Sequence, residues 1–347
     1  MIDINEFVAR AKADDASDIH LICGLPPKYR VSGSLVNMED RILSEEDCFD
    51  AARILAADRW QDFEETGELD MSDTLSGVRC RIHIFRQQGQ PSVALRLLRE
   101  EIPQLEMLGL PPAALKLTDL HKGIVLVTGE TGSGKSTTLA ALIDRINHTR
   151  RDHIVTLEDP IEYIYKPDLC AINQREIGRD TKSFSSGLRA SLREDPNVIL
   201  IGEMRDTDTI ETAITAAETG HLVFGTLHTG SASDSIDRIV QVFPEGMQAQ
   251  IRLQLSMTLQ AVLTQQLIPK KGGGRALACE MMVVTDAIRN LIRGGNTPQI
   301  ANAIATSAAI GGQNMDQALV RLVKAGQITK DMALHYAKEA DYVKKNA

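Results

Sequence analysis

With 347 residues, 43% hydrophobic and 24% charged, the chain has room for one large or two ordinary soluble domains with full apolar cores. Its formal net charge of −9 argues against a broad nucleic-acid surface, which draws on excess Lys and Arg. The start MIDINEFVAR lacks the features of a signal peptide, and apolar runs such as IVLV and VILI are far too short for a membrane span. A cytoplasmic protein is expected, with no nucleic-acid partner and no direct membrane insertion. The five cysteines (Cys23, Cys48, Cys80, Cys170, Cys279) are scattered, and none pairs at C-x-x-C spacing, so they read as buried free thiols.

In chain order, Ile4–Ala13 has a helical pattern and SDIHL switches to strand-like alternation. KYRVSGSLVNM sets Ser32-Gly33 between two strand-like pieces, which signals a hairpin. Ser44 followed by Glu45, Glu46 and Asp47 is the pattern of an N-cap with an acidic first turn, and Phe49, Ala52 and Leu55 continue that helix. CRIHIF and PSVALRLL read as two further strands on either side of residues 87–90. Residues 1–100 are therefore expected to form a small α+β domain. Pro103, Gly109, Pro111 and Pro112 disfavour regular structure and mark a linker over residues 101–112.

Residues 113–347 have a different texture. GIVLVT, HIVTLE, NVILIG and HLVFGTL are continuous apolar strands separated by helical segments, which implies an α/β domain with a parallel sheet covered on both faces. TDTIETAITAAETG offers Thr207 as a helix cap and Gly220 as a stop. The last forty residues read as two amphipathic helices, with Met315, Leu319, Leu322 and Val323 on one face.

GIVLVTGETGSGKST is the strongest chemical signal. Gly129 and Gly134 frame a phosphate-loop pattern completed by Lys135 and Ser136, after a strand and before a helix over residues 137–146. Backbone N–H groups of Gly129, Glu130, Thr131, Gly132, Ser133 and Gly134 would point inward around phosphates, with Thr137 opening the helix. Lys135 would neutralise the β and γ groups, and the Ser136 hydroxyl would reach Mg²⁺.

Two strands end in carboxylates. HIVTLEDPIEY carries Glu158, Asp159 and Glu162, while NVILIGEMRD carries Glu203 after a glycine, Gly202, where most phosphate-loop ATPases place an aspartate that serves the metal. Strand carboxyl ends face the ligand crevice in open parallel sheets, so both clusters are expected to face the phosphate loop. Magnesium keeps several waters, so Glu203 would act through one of them or orient the attacking water, with Glu158 as its partner or rival. Asp159 and Glu162 serve equally well as polar caps of the turn at Pro160.

His221 and His228 flank the strand of AETGHLVFGTLHTGSA, and His228 lies at the carboxyl end, where a γ-phosphate would be sensed. His20, His83, His121, His148, His153 and His335 have no comparable context. Phosphoryl transfer usually uses one more cation, often an arginine supplied in trans. Arg81 and Arg96 lie on paired strands with Arg86 between them; alone, they read as solvated sheet-face arginines.

These residues carry a family resemblance that spans nearly the whole chain. GETGSGKST, TLEDPIEY, SLREDPNVILIGEMRD and AETGHLVFGTLHT resemble the phosphate loop, acidic box, atypical Walker B and histidine box of PilT-type retraction ATPases of type IV pili, within the secretion ATPase superfamily. The resemblance implies a PAS-like amino-terminal domain and a RecA-like ATPase domain, ATP held where the two meet, and a homohexamer. It also implies docking on an inner-membrane pilus platform protein from the cytoplasmic side. Glu203 matches the catalytic glutamate, Glu158 the acidic-box glutamate, and Arg81 and Arg96 the phosphate-facing arginines. IPKKGGGRALACEM has only Cys279 where assembly and type II secretion ATPases usually carry a four-cysteine zinc module, which favours the retraction branch. AIRNLIR also resembles the family, although Gly294-Gly295 follow it where an acidic residue is common.

Overall fold

Three two-residue turns, Ser32-Gly33, Ser76-Gly77 and Gln88-Gly89, all have positive φ at both positions, between 48° and 84°. This type I′ geometry matches the twist of antiparallel strands, and glycine at the second position takes it without steric cost. The turns organise the first part of the computed structural model, which describes residues 2–98 and 101–347. They join β2 (Lys28–Val31) to β3 (Ser34–Asn37), β4 (Glu68–Leu75) to β5 (Val78–Gln87), and β5 to β6 (Gln90–Leu97). With β1 (Ala16–Leu21) these make an antiparallel sheet of order β3-β2-β1-β6-β5-β4.

One face of this sheet buries Ile19, Leu21, Ile82, Ile84 and Leu95 in a core shared with Phe7 and Val8 of helix Ile4–Ala13, Ala52 and Leu55 of helix Glu45–Ala56, and Phe63. The period of two along β5 puts Arg79, Arg81 and His83 on the other face. Sequence patterning missed β4 and the short helix Trp60–Thr66, because ELDMSDTL alternates weakly and its neighbour is strongly acidic. Phe49, one of the apolar positions that continue its helix, is 40% exposed and meets Trp60 edge to face. The buried face of that helix is Cys48, Ala51, Ala52, Leu55 and Ala56.

Ser44 caps the same helix in a reciprocal box with Asp47. The Asp47 carboxylate accepts from the Ser44 N–H and hydroxyl and takes two hydrogen bonds from Arg41. The Ser44 backbone bond, and then the hydroxyl and Arg41, hold its pKa below the usual carboxylate value against the effect of burial. Its stabilisation is thus present above the unfolded-state value and lost as pH falls through the folded one. Asp47→Ala should lower stability by about 1–2 kcal/mol at neutral pH. In urea melts at decreasing pH, the gap between variant and wild type should close.

The second sheet comprises β7 (Gly123–Thr128), β8 (His153–Glu158), β9 (Ala171–Glu176), β10 (Val198–Ile201), β11 (Leu222–Leu227), β12 (Leu259–Pro269) and β13 (Arg275–Val283). Its order is β13-β12-β7-β11-β10-β8-β9, parallel throughout except for β13 at one edge. Every residue of β7, β10 and β11 is buried, as expected for a sheet covered on both faces. The polar strand β9 and the long β12–β13 hairpin escaped sequence reading; β12 carries Thr264, Gln265 and Gln266 within an apolar run.

Contacts group the chain into one unit of Met1–Ile102 plus Asp159–Ile164, and a second of Pro103–Glu158 plus Tyr165–Ala347. The hexapeptide 159–164 follows β8 yet belongs to the first unit, where the Ile161 carbonyl accepts from Arg79 Nε at 3.1 Å. The proline-rich stretch from Pro103 holds two short 3₁₀ turns, Leu105–Leu108 and Pro112–Asp119.

The helix of TDTIETAITAAETG is capped by Asp206, whose side chain accepts from the Thr209 N–H; Thr207, the expected cap, is its first residue. Three carboxyl-terminal helices stand where two were expected: Met315–Lys324, Lys330–Tyr336 and Ala340–Asn346. Gly294-Gly295 close helix Asp286–Arg293 with two bonds of a Schellman motif, from the N–H of Gly295 to Ile292 and of Asn296 to Leu291. Gly295 takes φ 69°, which explains a glycine there.

Candidate active site

The phosphate loop leaves β7 at Thr128 and enters helix Lys135–Thr149 through Gly134, its N-cap, at φ 92°. Gly129 is required by space as well as by its φ of 140°: a Cβ there would lie 2.4 Å from the Gln265 carbonyl oxygen and 2.6 Å from Ser133 Oγ. The Lys135 ammonium folds over the loop and donates to the carbonyls of Gly129 at 2.8 Å and Glu130 at 3.0 Å. Ser136 and Thr137 sit in the first helical turn, with Ser136 exposed. Glu130, Thr131 and Gly132 form the exposed rim, and Ser133 is buried.

Beneath the loop lies a polar layer that sequence reading did not find. Gln265 Nε2 donates to Thr138 Oγ1 at 2.7 Å, and the hydroxyls of Thr128 and Thr264 meet at 2.9 Å. The partners are more than a hundred residues apart, so no local pattern could announce them.

The strand order sets the remaining groups along one edge. Moving from the loop on β7, the sheet presents His228 after β11, Glu203 after β10 and Glu158 at the end of β8. His228 Nε2 lies 3.3 Å from Glu203 Oε1, the same oxygen that accepts from Arg205 Nε. Burial, then the positive charges of Lys135 and Arg205, hold the His228 pKa below its ordinary value despite the opposing pull of Glu203. The imidazole is therefore neutral at neutral pH. Arg205, visible in GEMRD but not singled out there, is the additional group at this carboxylate.

Glu158 is oriented separately: its Oε1 accepts from Thr156 Oγ1 at 2.6 Å and Gln174 Nε2 at 3.1 Å. Gly202 has a packing explanation, since a Cβ there would stand 3.1 Å from the Leu157 carbonyl oxygen and 3.3 Å from the Glu158 Cα. The Gly202 N–H donates to Leu157 O at 2.8 Å, and its carbonyl accepts from Thr226 Oγ1. A bulkier residue would push apart the two strand ends that carry Glu158 and Glu203. His221 is tied to the end of the preceding helix, Thr207–Glu218, with Nδ1 2.9 Å from the Ala216 carbonyl oxygen.

Arg81 and Arg96 belong to the first unit and face each other directly across β5 and β6. Like charges so placed repel unless compensated. Arg96 Nε donates to Asp18 at 2.9 Å, and Arg81 lies 4.0 Å from Asp70. Burial would raise the Asp18 pKa, but the Ser17 and Arg96 hydrogen bonds and the Arg96 charge together lower it. His83, given no role from sequence, stands 3.2 Å from the same Asp70 carboxylate.

A glycine-framed loop over a helix N-terminus, at the carboxyl edge of a parallel sheet lined with carboxylates, defines a RecA-like phosphate-loop ATPase. The attached antiparallel sheet with its helices is the smaller PAS-like partner. Residues 1–330 match the model of the type II/IV secretion system protein family, and the chain belongs to that family. It is similar to the type IV pilus retractation ATPase PilT of Pseudomonas aeruginosa, 46% identical over 97% of this chain and 98% of that one. A twitching motility protein of Neisseria gonorrhoeae is 42% identical over 91% of this chain and 85% of its own length. The crystal structure of the pilus retraction motor PilT with bound ADP superposes with a TM-score of 0.92, at 46% identity, over 99% of this chain and all of that one.

The loop fits a nucleotide on its own geometry. Gly129 lets the loop backbone close tightly over the Gln265 carbonyl where a Cβ would collide, and Ser133 Oγ is buried there with no hydrogen-bond partner among the described residues. Gly129→Ala should therefore load the loop with about 1–3 kcal/mol of strain, equivalent to about 5- to 150-fold in nucleotide affinity. A fluorescent-nucleotide titration would read this, with the thermal unfolding midpoint as the check on folding.

Proposed function

We propose that this chain is the subunit of a homohexameric, Mg²⁺-dependent ATPase that drives type IV pilus retraction. The observation that carries the reading is the row of Lys135, His228, Glu203 and Glu158 along one sheet edge, in a chain 46% identical to a retraction ATPase over nearly its full length. Magnesium, when bound with ATP, would neutralise charge on the β- and γ-phosphates, with Ser136 as its protein ligand. Lys135 would move from the loop carbonyls to those phosphates. Glu203 would orient the attacking water, held on one side by Arg205 and on the other by neutral His228. Glu158, fixed by Thr156 and Gln174, would be a second acceptor at the same edge. Arg81 and Arg96, a like-charge pair, would face phosphate, an anion that relieves their repulsion.

The ring would work at the cytoplasmic face of the inner membrane, through a platform protein of the pilus machine. Deleting the gene and counting surface pili by electron microscopy tests this directly. More or longer pili with lost surface motility is the expected result. Bald cells would make the protein an assembly motor, and unchanged cells would remove it from pilus retraction.

A further inference from the structure

The β12–β13 hairpin ends in Lys270-Lys271-Gly272-Gly273-Gly274-Arg275, closed by the Pro269–Arg275 pair and by the Lys270 N–H donating to the Gly274 carbonyl at 3.0 Å. All three glycines are left-handed, with φ 82°, 101° and 77°, and a Cβ on any of them would meet nothing within 4 Å. The Lys271 N–H donates to the Gln327 carbonyl at 2.9 Å. This bond sets the tip beside the turn between helices Met315–Lys324 and Lys330–Tyr336, which has its own left-handed, unobstructed Gly326.

Residues 270–275 and 321–330 together hold six Lys and Arg and no Asp or Glu, in a chain whose net charge is −9. Lys270, Lys271, Arg275, Arg321 and Lys324 are all exposed, and none makes an ion pair with another described residue. Two buried carboxylates of this lobe are engaged elsewhere. Glu280 takes the Ala232 N–H at 2.8 Å and lies 3.9 Å from Lys338, and Asp316 accepts from the N–H groups of Lys338 and Glu339. Lys330 is held by the carbonyls of Lys344 and Ala347.

We propose that this double turn is a docking surface for an anionic phospholipid bilayer, bound at the headgroups without insertion. The Gly273 N–H is given to the Lys270 carbonyl at 3.3 Å, but the three bare glycines leave the backbone of the tip able to approach phosphates closely, with lysines and an arginine on either side. Specific protein interfaces are built on aromatic anchors and are depleted in Lys, whereas this tip has no aromatic residue and two lysines. The charge is concentrated at one tip rather than spread along a groove, as a nucleic acid would need. The proposal stands independently of the pilus-motor reading.

Each Lys or Arg near an anionic surface changes partitioning about fivefold, so three change it about a hundredfold. The test is co-flotation of the purified full-length protein with vesicles of phosphatidylethanolamine and phosphatidylglycerol, against vesicles of phosphatidylcholine alone. Wild type should float with the anionic vesicles at low salt and be released near 1 M salt, where the screening length falls to about 3 Å. The triple variant Lys270→Ala, Lys271→Ala, Arg275→Ala should lose about a hundredfold in binding with its basal ATP turnover unchanged. Lys324→Ala, at the end of the helix that leads into the other turn, should lose about fivefold. A control triple, Arg53→Ala, Lys116→Ala and Lys122→Ala, removes equal charge elsewhere and should bind as wild type. Equal binding to both vesicle types, or equal losses in the two triples, would overturn the proposal. Retention on an acidic peptide or an oligonucleotide with no vesicle binding would also overturn it.

Discussion

Glu203→Gln should retain ATP binding and lower turnover at least about 100-fold, the usual contribution of a positioned carboxylate that handles the attacking water. The amide keeps the shape of the side chain and its place between Arg205 and His228, so the loss would report the charge and not the packing. Nucleotide affinity, read by fluorescent ATP, should stay within a few-fold of wild type, because Lys135 and the loop are untouched. Undiminished turnover would transfer the role to Glu158. Its separate pair of hydrogen bonds, from Thr156 and Gln174, means that Glu158→Gln can be compared without disturbing Glu203. Removing Arg205 should have a smaller effect on turnover than removing Glu203, since it acts through that carboxylate.

Arg81→Ala should lower hydrolysis by about 10³-fold or more if the guanidinium completes a site in the manner of an arginine finger. The affinity of an isolated subunit for nucleotide should change little. Mixing supplies the sharper measurement. Rings assembled from Arg81→Ala and Glu203→Gln subunits would contain some sites with both groups intact if the arginine is supplied in trans. Such mixtures should regain activity that neither parent has, whereas mixtures as inactive as the parents would place the arginine in cis or outside the chemistry. Arg96→Ala is expected to be milder, because Arg96 is already committed to Asp18 at 2.9 Å.

Glycines mark several of the places where chemistry and packing meet. Gly129 keeps the loop clear of the Gln265 carbonyl, and Gly202 lets the ends of β8 and β10 approach. From sequence alone, Gly202 poses the problem of an absent aspartate. In the fold a Cβ there would press on the end of β8 beside Glu158, which would have to give by a few tenths of an ångström.

What the sequence determined by itself was whatever local periodicity or spacing encodes. The phosphate loop is such a case, because its six backbone positions, lysine and serine are contiguous. The strands β7, β8, β10 and β11 are another, since burial on both faces leaves unbroken apolar runs. So are the Ser32-Gly33 hairpin and the Ser44 cap, each decided within four residues. Only the tertiary structure decided which strand ends stand side by side. That order places His228 at 3.3 Å from the Glu203 oxygen that Arg205, two residues further along the chain, also reaches. It also brings Gln265 under a loop more than a hundred residues earlier in the chain, and gives residues 159–164 to the first unit. Polar strands such as β4 and β9 follow the same rule. Their identity comes from the partner they pair with, because backbone hydrogen bonding to a neighbouring strand leaves little trace in the side chains of the strand itself.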